Sequence, residues 1–199
     1  MSVSAIIMAA GSGSRFGEKK QFKLLGGTAL YFYSLNKFLH CEDINEVILV
    51  VPESRVADIK KEIANIKKTK KILVVSGGLR RQDSVKNGML SVSNKSQLVC
   101  IHDGARPFVS EKLIKQSIIA CSNNDGAIVA NPNFDTLKTC KKGYVKKTID
   151  RNNVWMAQTP QVFWKIKLLD AIAISEKKNM EVTDESSMME SLGYKVSVV

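Results

Sequence analysis

Three short segments carry the residue types that could bind a phosphorylated ligand. The first is Ala9-Ala10-Gly11-Ser12-Gly13-Ser14-Arg15, which continues to Lys20. Glycines let the backbone wrap closely around a ligand, and successive N–H groups can form an anion site, so glycines with two cations suggest a polyphosphate clamp. The segment matches neither the Walker A spacing nor the Rossmann fingerprint. A surface turn with solvated cations is the alternative interpretation.

The second segment is Ser76-Gly77-Gly78-Leu79-Arg80-Arg81-Gln82-Asp83-Ser84-Val85, which follows an apolar run and opens a helical pattern. Paired glycines can let a base or a ribose approach the backbone, and Ser84 falls in the first turn of the predicted helix. A tight turn followed by a helix cap would explain the same residues without a ligand. The segment is therefore a candidate nucleoside site.

The third segment is Ile101-His102-Asp103-Gly104-Ala105-Arg106-Pro107-Phe108. Asp103 ends a predicted strand, where a carboxylate is well placed to hold Mg²⁺ beside a nucleotide phosphate. We expect structural roles for the two neighbouring polar side chains. Arg106 would bond loop carbonyls, and His102 would be packed or hydrogen-bonded and would not act as a catalytic base.

These segments need a scaffold that brings strand ends together. Continuous apolar runs predict buried parallel strands at 3–9, 47–51, 72–75, 98–101 and 127–130. Helical patterns lie at 28–39, with Thr28 as the cap, and at 53–66, 81–91, 110–121, 165–177 and about 183–192. A last strand is predicted at 195–199. The alternation predicts one α/β domain with an open, mostly parallel, doubly wound sheet, in which ligands bind beyond the carboxyl ends of the strands.

One stretch departs from this alternation. Residues at about 134–150 are polar and β-prone around Lys141-Lys142-Gly143, which predicts a hairpin that stands off the core; we call it the arm.

The composition is that of a soluble globular protein, and its basic balance alone does not choose among a nucleic acid, an acidic membrane and a phosphorylated small molecule as partner. Among 199 residues, 30 Lys and Arg against 19 Asp and Glu give a net charge of +11. The lysines are dispersed, which is typical of a solvated surface, and only 7% of residues are aromatic. Nucleic-acid binding would require clustered basic or stacking residues. Four scattered cysteines indicate reduced thiols in a cytoplasmic protein, and no run approaches the ~20 apolar residues of a membrane span.

Taken in order, the motifs resemble the 2-C-methyl-D-erythritol 4-phosphate cytidylyltransferase family of the non-mevalonate isoprenoid pathway. The motifs that carry the resemblance are Ala-Ala-Gly-x-Gly-x-Arg with Lys-Gln, then Gly-Gly-x-x-Arg-x-x-Ser-Val, then His-Asp-x-Ala-Arg-Pro. The match continues through Pro132, Asp135-Thr136, Lys138, Ile149-Asp150-Arg151, Trp155, Gln158-Thr159-Pro160-Gln161 and Thr183-Asp184-Glu185. It spans almost the whole chain, and the ordered set is far more specific than any single loop.

The resemblance implies a Rossmann-like nucleotidyltransferase fold, transfer of CMP from CTP to the sugar-alcohol phosphate, Mg²⁺ as cofactor, and a homodimer joined partly by the arm. By position, the catalytic residues would be Arg15, Lys20 and Arg151, the first two at the CTP phosphates. Arg151, supplied by the partner subunit, and Thr183 would hold the sugar phosphate. Asp103 would bind the metal. The remaining nucleotide-binding groups would be Ala9, Ala10, Gly11, Gly13, Gly78 and Ser84.

The sequence departs from the family pattern at two places. Lys19 stands where proline is usual, which makes Lys19 an alternative to Lys20 as the phosphate-binding lysine. The family pattern also continues past the position of Val199, through an Asn-x-Lys-x-Thr segment, so the resemblance implies that a C-terminal segment with one phosphate-binding lysine is missing here. Two alternatives stay open: a pentitol phosphate, such as ribitol phosphate, as acceptor, and a non-catalytic fragment or dimerisation module.

Overall fold

The computed structural model describes residues 1–13, 17–64, 66 and 70–199. In chain order the described strands are β1 (Val3–Met8), β2 (Leu24–Leu25), β3 (Thr28–Ala29), β4 (Glu46–Val51), β5 (Lys71–Ser76), β6 (Leu98–Asp103), β7 (Gly126–Pro132), β8 (Leu137–Lys141), β9 (Tyr144–Ile149), β10 (Trp155–Trp164) and β11 (Val196–Val198). The α-helices are α1 (Leu30–His40), α2 (Val56–Ala64), α3 (Arg81–Met89), α4 (Glu111–Ser122), α5 (Lys165–Lys177) and α6 (Glu185–Ser191). Two 3₁₀ turns lie at Lys20–Phe22 and Glu53–Arg55.

One large sheet organises the molecule. Its described strands lie in the order β11-β7-β10-β6-β1-β4-β5, and only β10 runs antiparallel to its neighbours. The chain proceeds from β1 outward through β4 and β5, then returns to place β6 on the other side of β1. This reversal is a topological switch point, where open α/β sheets bind their ligands. The predicted mostly parallel, doubly wound sheet is confirmed.

Helices cover both faces of the sheet because its central strands are apolar on both sides. All six residues of β4 are buried, and successive ones face opposite layers. Val47 and Leu49 belong to a core that includes residues of α1, α2 and α4, whereas Ile48 and Val50 belong to a core that includes residues of α3, α5 and α6. Each buried side chain of this size contributes about 1.5–3 kcal/mol. The strand ends are therefore held on a firmly packed platform.

The start of α1 differs from the prediction. Thr28 is not the helix cap, because it pairs with Leu25 in the small β2–β3 hairpin. Gly26 and Gly27 form its two-residue turn with φ of 56° and 81°, values that glycine adopts without steric cost. The helix begins at Leu30, after an Ala29 that gives no side-chain cap.

The sequence prediction missed β10, although it lies in the middle of the sheet. Gln158, Thr159 and Gln161 interrupt its apolar run, and Pro160 cannot donate to a regular ladder. The structure places this proline where the pairing register with β7 shifts, between Ala157 and Gln161. Proline is tolerated at such irregularities, so the strand continues on both sides of it.

The predicted arm is confirmed as a separate two-stranded sheet. β8 and β9 pair antiparallel, from Leu137 opposite Ile149 to Lys141 opposite Tyr144. Every residue of β9 is exposed. The arm leaves the main sheet after β7 and returns at β10, so its base lies at the same edge as the carboxyl ends of β1 and β6. Among the described residues no helix is long and apolar enough to cross a membrane.

Candidate active site

The three predicted ligand-binding segments meet at one edge of the sheet. Because β1, β4, β5 and β6 are parallel, their carboxyl ends lie together there. Backbone hydrogen bonds extend the pairing into the loops: the Ala9 N–H donates to the Val50 carbonyl at 2.7 Å, and the Gly104 N–H donates to the Met8 carbonyl at 2.8 Å. The loops after β1 and β6 therefore flank the switch point directly.

A buried glutamine shapes the first loop. The side-chain amide of Gln21, which is 5% exposed, donates to the carbonyls of Ala9 and Gly11, at 2.8 Å in each case. The loop folds back on itself at Gly13, where φ is 74° and a Cβ would lie 1.7 Å from the Glu18 carbonyl oxygen. Only glycine fits at that position. The predicted nucleotide-binding backbone is thus held by contacts within the protein.

The predicted phosphate-binding lysine precedes this glutamine in the chain. Lys20 opens the 3₁₀ turn that contains Gln21, and its side chain is exposed at the rim of the loop. Lys19 precedes the turn and is also exposed. The second predicted cation, Arg15, lies outside the described residues.

The second loop packs against the first. A Cβ on Gly77 would lie 2.3 Å from the Ala10 Cβ and 2.9 Å from the Ser84 hydroxyl oxygen. The Ser84 hydroxyl oxygen accepts a hydrogen bond from the Gly78 N–H at 2.9 Å and is itself buried. The structure therefore brings Ala10, Gly78 and Ser84 together, with the serine hydroxyl bonded to the loop backbone.

Two guanidinium groups hold the Asp103 carboxylate. Arg106 donates from Nε to Asp103 Oδ2 at 3.0 Å, and Arg81 Nη2 lies 3.6 Å from Oδ1. The side chain of Asp103 remains 33% exposed at the edge of the sheet. The expectation that Arg106 bonds loop carbonyls is wrong, because its Nε takes the nearby carboxylate, whose full charge makes it the stronger acceptor.

The expectation that His102 is packed and hydrogen-bonded is confirmed. Its Nε2 bonds the Arg106 carbonyl at 3.1 Å, and its Nδ1 bonds the Thr159 hydroxyl at 2.9 Å. A carbonyl only accepts, so Nε2 carries the proton and Nδ1 accepts from Thr159. The Thr159 oxygen in turn accepts from the Asp103 N–H at 3.2 Å. Burial lowers the pKa of His102 to about 4, which keeps the ring neutral at physiological pH.

Arg81 also reaches a second carboxylate, which sequence reasoning gave no role. Its Nη1 lies 2.5 Å from Glu185 Oε1. Glu185 is completely buried at the start of α6. Burial raises the pKa of the Glu185 carboxyl, and the adjacent guanidinium opposes that rise. The pair joins the first residue of α3 to the first residue of α6.

The predicted acceptor residue Thr183 lies just before α6, and its side chain is exposed. Asp184 caps the helix by accepting from the Ser187 N–H at 2.9 Å. Gln161 of β10 donates to Asp184 Oδ2 at 2.8 Å and accepts from the Ser186 N–H at 3.3 Å. The residues that follow Thr183 therefore join this segment to β10 through Gln161 and to Asp103 through the Glu185–Arg81 pair.

Arg151 lies apart from this cluster within its own chain. It is exposed in the segment between β9 and β10, and its Nη1 donates to the Phe134 carbonyl at 2.6 Å. No hydrogen bond or ion pair described for Arg151 joins it to Asp103 or Thr183. The structure places it at the base of the arm, on the edge that also carries the site.

Among the described residues at this edge, Asp103 offers a carboxylate to a divalent cation. Within the described ranges no three His, Cys, Asp or Glu side chains form a metal cluster. Asp103 offers a carboxylate whose oxygens each keep a lone pair beyond their arginine contacts. Mg²⁺ commonly binds through one or two carboxylates plus substrate phosphates and water. The site therefore suits a cation that arrives with a nucleotide.

Several positioning residues were missed although their motifs were visible. Arg81, Thr159, Gln161 and Glu185 all belong to the recognised patterns, yet their types predict exposed polar side chains. Their roles depend on pairings between residues 25 to 104 positions apart. The clearest signal available was that each stands inside a motif that carries the family resemblance.

Comparison with known proteins identifies the family. The family model for 2-C-methyl-D-erythritol 4-phosphate cytidylyltransferase matches residues 3–199. Proteins of that name from Syntrophus aciditrophicus and Aquifex aeolicus are 38% and 41% identical to this chain. The alignments cover 99% and 98% of this chain and 86% of each relative.

Solved structures agree with the sequence relatives. The 4-diphosphocytidyl-2C-methyl-D-erythritol synthase of Anaerococcus prevotii superposes with a TM-score of 0.87 at 33% identity, covering 99% of this chain and 86% of that one. The 2-C-methyl-D-erythritol 4-phosphate cytidylyltransferase of Thermus thermophilus gives a TM-score of 0.80 at 31% identity, covering 100% and 88%. The chain therefore belongs to the 2-C-methyl-D-erythritol 4-phosphate cytidylyltransferase family of nucleotidyltransferases.

Proposed function

We propose that this chain transfers the CMP group of CTP to 2-C-methyl-D-erythritol 4-phosphate in isoprenoid precursor synthesis. The products are 4-diphosphocytidyl-2-C-methyl-D-erythritol and pyrophosphate. The observation that carries the proposal is the meeting of three motif-bearing loops at the switch point of the sheet, in a chain of this family. Those loops bring closely approaching backbone, cations and a carboxylate to one place.

The reaction requires positioning more than proton transfer. An oxygen of the acceptor phosphate attacks the α-phosphorus of CTP, and the bond from that phosphorus to the bridging oxygen breaks. The bonding electrons leave with pyrophosphate. The acceptor phosphate is already largely ionised at neutral pH, so no general base is needed. A neutral, buried His102 is consistent with this, and alignment and charge neutralisation supply the acceleration.

The nucleotide half of the site is assigned to the two glycine loops. Backbone groups of Ala9, Ala10, Gly11, Gly13 and Gly78 would contact the cytidine and its phosphates, with Ser84 holding the second loop in place. Lys20 and Arg15 would neutralise the phosphates of CTP, with Lys20 near the α-phosphate. The support is the tight contact between the loops at Gly77 and Ala10.

We assign the metal to Asp103. A bound Mg²⁺ would screen the charge of the triphosphate and favour departure of pyrophosphate. Asp103 would give it one carboxylate oxygen, while Arg106 and Arg81 keep that carboxylate oriented. The Asp103 carboxylate would therefore be already oriented as a ligand when the cation arrives with CTP.

The acceptor half is assigned to Thr183 and to Arg151 of the partner subunit in a homodimer. The support for the dimer is the apolar surface of the arm and its base, where Phe134 and Tyr144 are each 77% exposed. Exposed apolar groups of this kind mark protein interfaces. Burying two arms against each other would cover them and carry Arg151 toward the second subunit's site.

The cytoplasm is the proposed location. Three of the four cysteines are buried free thiols, and the exposed Cys140 is also free. Unpaired cysteines are typical of a reducing compartment.

A parallel assay with two acceptors tests the activity. The purified chain is incubated with CTP and Mg²⁺, and pyrophosphate release is measured with 2-C-methyl-D-erythritol 4-phosphate or with ribitol 5-phosphate. We expect release with the first acceptor and at most weak release with the second. A preference for the pentitol phosphate would reassign the acceptor. No release with either would overturn the proposed activity of this chain.

A further inference from the structure

Arg81 touches two carboxylates that belong to different halves of the site. Its Nη1 lies 2.5 Å from Glu185, just after the acceptor residue Thr183, and its Nη2 lies 3.6 Å from Asp103, the proposed metal ligand. Arg81 itself opens α3, directly after the glycine loop proposed to hold the nucleoside. One guanidinium therefore contacts or adjoins three segments of the site.

The buried Glu185 fixes the orientation of the Arg81 guanidinium. That carboxylate is fully buried, and its Oε2 has no hydrogen-bond partner among the described residues. A buried carboxylate that loses its cation is strongly unfavourable, so the arginine cannot swing away at low cost. The other terminal nitrogen of the guanidinium, Nη2, therefore faces Asp103, which remains partly exposed.

The neighbouring Arg80 shows that this arrangement is specific. Its guanidinium turns outward and binds Asp83 on the surface of α3, with Nη2 to Oδ1 at 2.8 Å. Two adjacent arginines thus carry the same charge at the same edge but face different partners. Of these two arginines, Arg81 is the one that forms an ion pair with α6.

We propose that Arg81 is a positioning residue: it orients the Asp103 carboxylate and, through Glu185, holds the Thr183 segment at a fixed distance from the nucleotide. The inference rests on the proposed function, because it assigns Thr183 to the acceptor and Asp103 to the nucleotide. The Arg81–Glu185 pair then sets how the two substrates face each other. Small displacements of this alignment are costly, since misplacement by about 1 Å can reduce rates roughly 100-fold.

Variants with neutral side chains distinguish a positioning role of Arg81 from a role in folding stability alone. Arg81→Gln should lower the thermal midpoint, because it leaves Glu185 buried and unpaired. The double variant Arg81→Gln/Glu185→Gln removes both charges and should regain most of that midpoint. We expect its kcat/KM to stay roughly 10- to 100-fold below that of the unmodified chain, because Asp103 keeps its contact with Arg106 but loses the second guanidinium that orients it. Recovery of activity together with stability would overturn the proposal.

Arg80→Gln is the matched control, because it removes one positive charge next to Arg81 without touching Asp103 or Glu185. It should keep kcat/KM within about twofold. CTP binding by calorimetry gives a readout that does not need turnover, and the double variant should bind roughly 10-fold more weakly than Arg80→Gln. If the unmodified chain fails to use the acceptor, the proposed function fails alone. Equal CTP affinity in the double variant and the control would refute the role of Arg81.

Discussion

At the scale of single residues, the site contains a network of ion pairs. Asp103 is held by Arg81 and Arg106, and Arg81 is held in turn by a buried Glu185. The two arginines balance these two carboxylates in charge, so the positive field offered to a triphosphate comes from the surrounding lysines of a chain with a net charge of +11. Lys20 extends this field at the rim of the glycine loop.

Replacing Lys20 by alanine should nearly abolish CTP-dependent pyrophosphate release. Loss of one group that stabilises developing negative charge typically costs about 10²–10³ in rate. Lys19→Ala is the matched control, because it removes the same charge one residue earlier. Steady-state kinetics of both variants show which of the two lysines binds the phosphates. Near-normal turnover of Lys20→Ala with a severe loss in Lys19→Ala would transfer the role to Lys19.

His102 should make the stability of the protein depend on pH. Burial lowers its pKa to about 4, from an ordinary value of 6.5. Between these values the unfolded chain binds a proton that the folded protein does not, so the free energy of unfolding falls as pH decreases. This effect is about 2 kcal/mol between pH 7 and pH 5.

Urea unfolding at the two pH values measures this effect. His102→Gln should reduce the difference in unfolding free energy between pH 7 and pH 5 by about that amount. His40→Gln, on the exposed side of α1, is the matched control and should keep the original difference. An unchanged difference in His102→Gln would show that other groups cause the pH dependence.

At the scale of elements, the site exists because loops approach each other more closely than side chains would allow. Gly77 lies against Ala10, and Gly13 lies against the Glu18 carbonyl. The strands beneath fix these approaches, since each loop continues a hydrogen bond of the sheet, such as Gly77 N–H to the Val51 carbonyl at 2.8 Å. The hydrogen bonds between the strands therefore set the distance between the loops.

Gly77→Ala should raise the KM for CTP at least roughly 10-fold, because its Cβ would meet the Ala10 Cβ at 2.3 Å and force the two loops apart. The thermal midpoint should fall as well. Gly11→Ala provides the comparison for stability, since a Cβ there meets nothing within 4 Å and should leave the midpoint unchanged. An unaltered KM in Gly77→Ala would mean that the loop contact does not shape the nucleotide site.

Sequence patterns predicted the elements whose burial is uniform. β1 and β4 are buried almost throughout and are apolar except at Ser4 and Glu46, and Ser110 caps α4 as its type and position indicate, accepting from the Leu113 N–H at 3.2 Å. β10 escaped prediction because its polar residues serve the site: Thr159 orients His102, and Gln161 holds the start of α6. Periodicity reports burial against apolar neighbours and carries no signal for buried hydrogen bonds between distant residues.

At the scale of the whole molecule, the net charge and the exposed apolar surface of the arm are consistent with the proposed anionic substrates and the proposed dimer. The net charge of +11 comes mostly from dispersed lysines, whose field can speed the arrival of CTP and a sugar phosphate. The arm leaves an apolar surface uncovered near the site, with Val145 62% and Trp155 50% exposed. A dimer that covers this surface would also explain why no described hydrogen bond or ion pair joins Arg151 to Asp103 or Thr183 in its own chain.

Mixing two inactive variants tests whether the site is shared between subunits. Lys20→Ala and Arg151→Ala should each be nearly inactive alone, and each should remain a dimer by analytical ultracentrifugation. If Arg151 acts across the dimer, a hybrid contains one site with both residues intact. Random reassociation of equal amounts should then restore about a quarter of the unmodified activity.

The recovery follows from the geometry of the hybrid. Lys20 of the Arg151→Ala subunit would work with Arg151 of the partner subunit, while the other site in the same dimer lacks both. If Arg151 instead served its own chain, every site in the hybrid would lack one residue and mixing would restore nothing. Covalently linked dimers that carry the two substitutions in different halves provide the control for slow exchange. They should show about half of the activity of an unmodified linked dimer, since one site in two is intact.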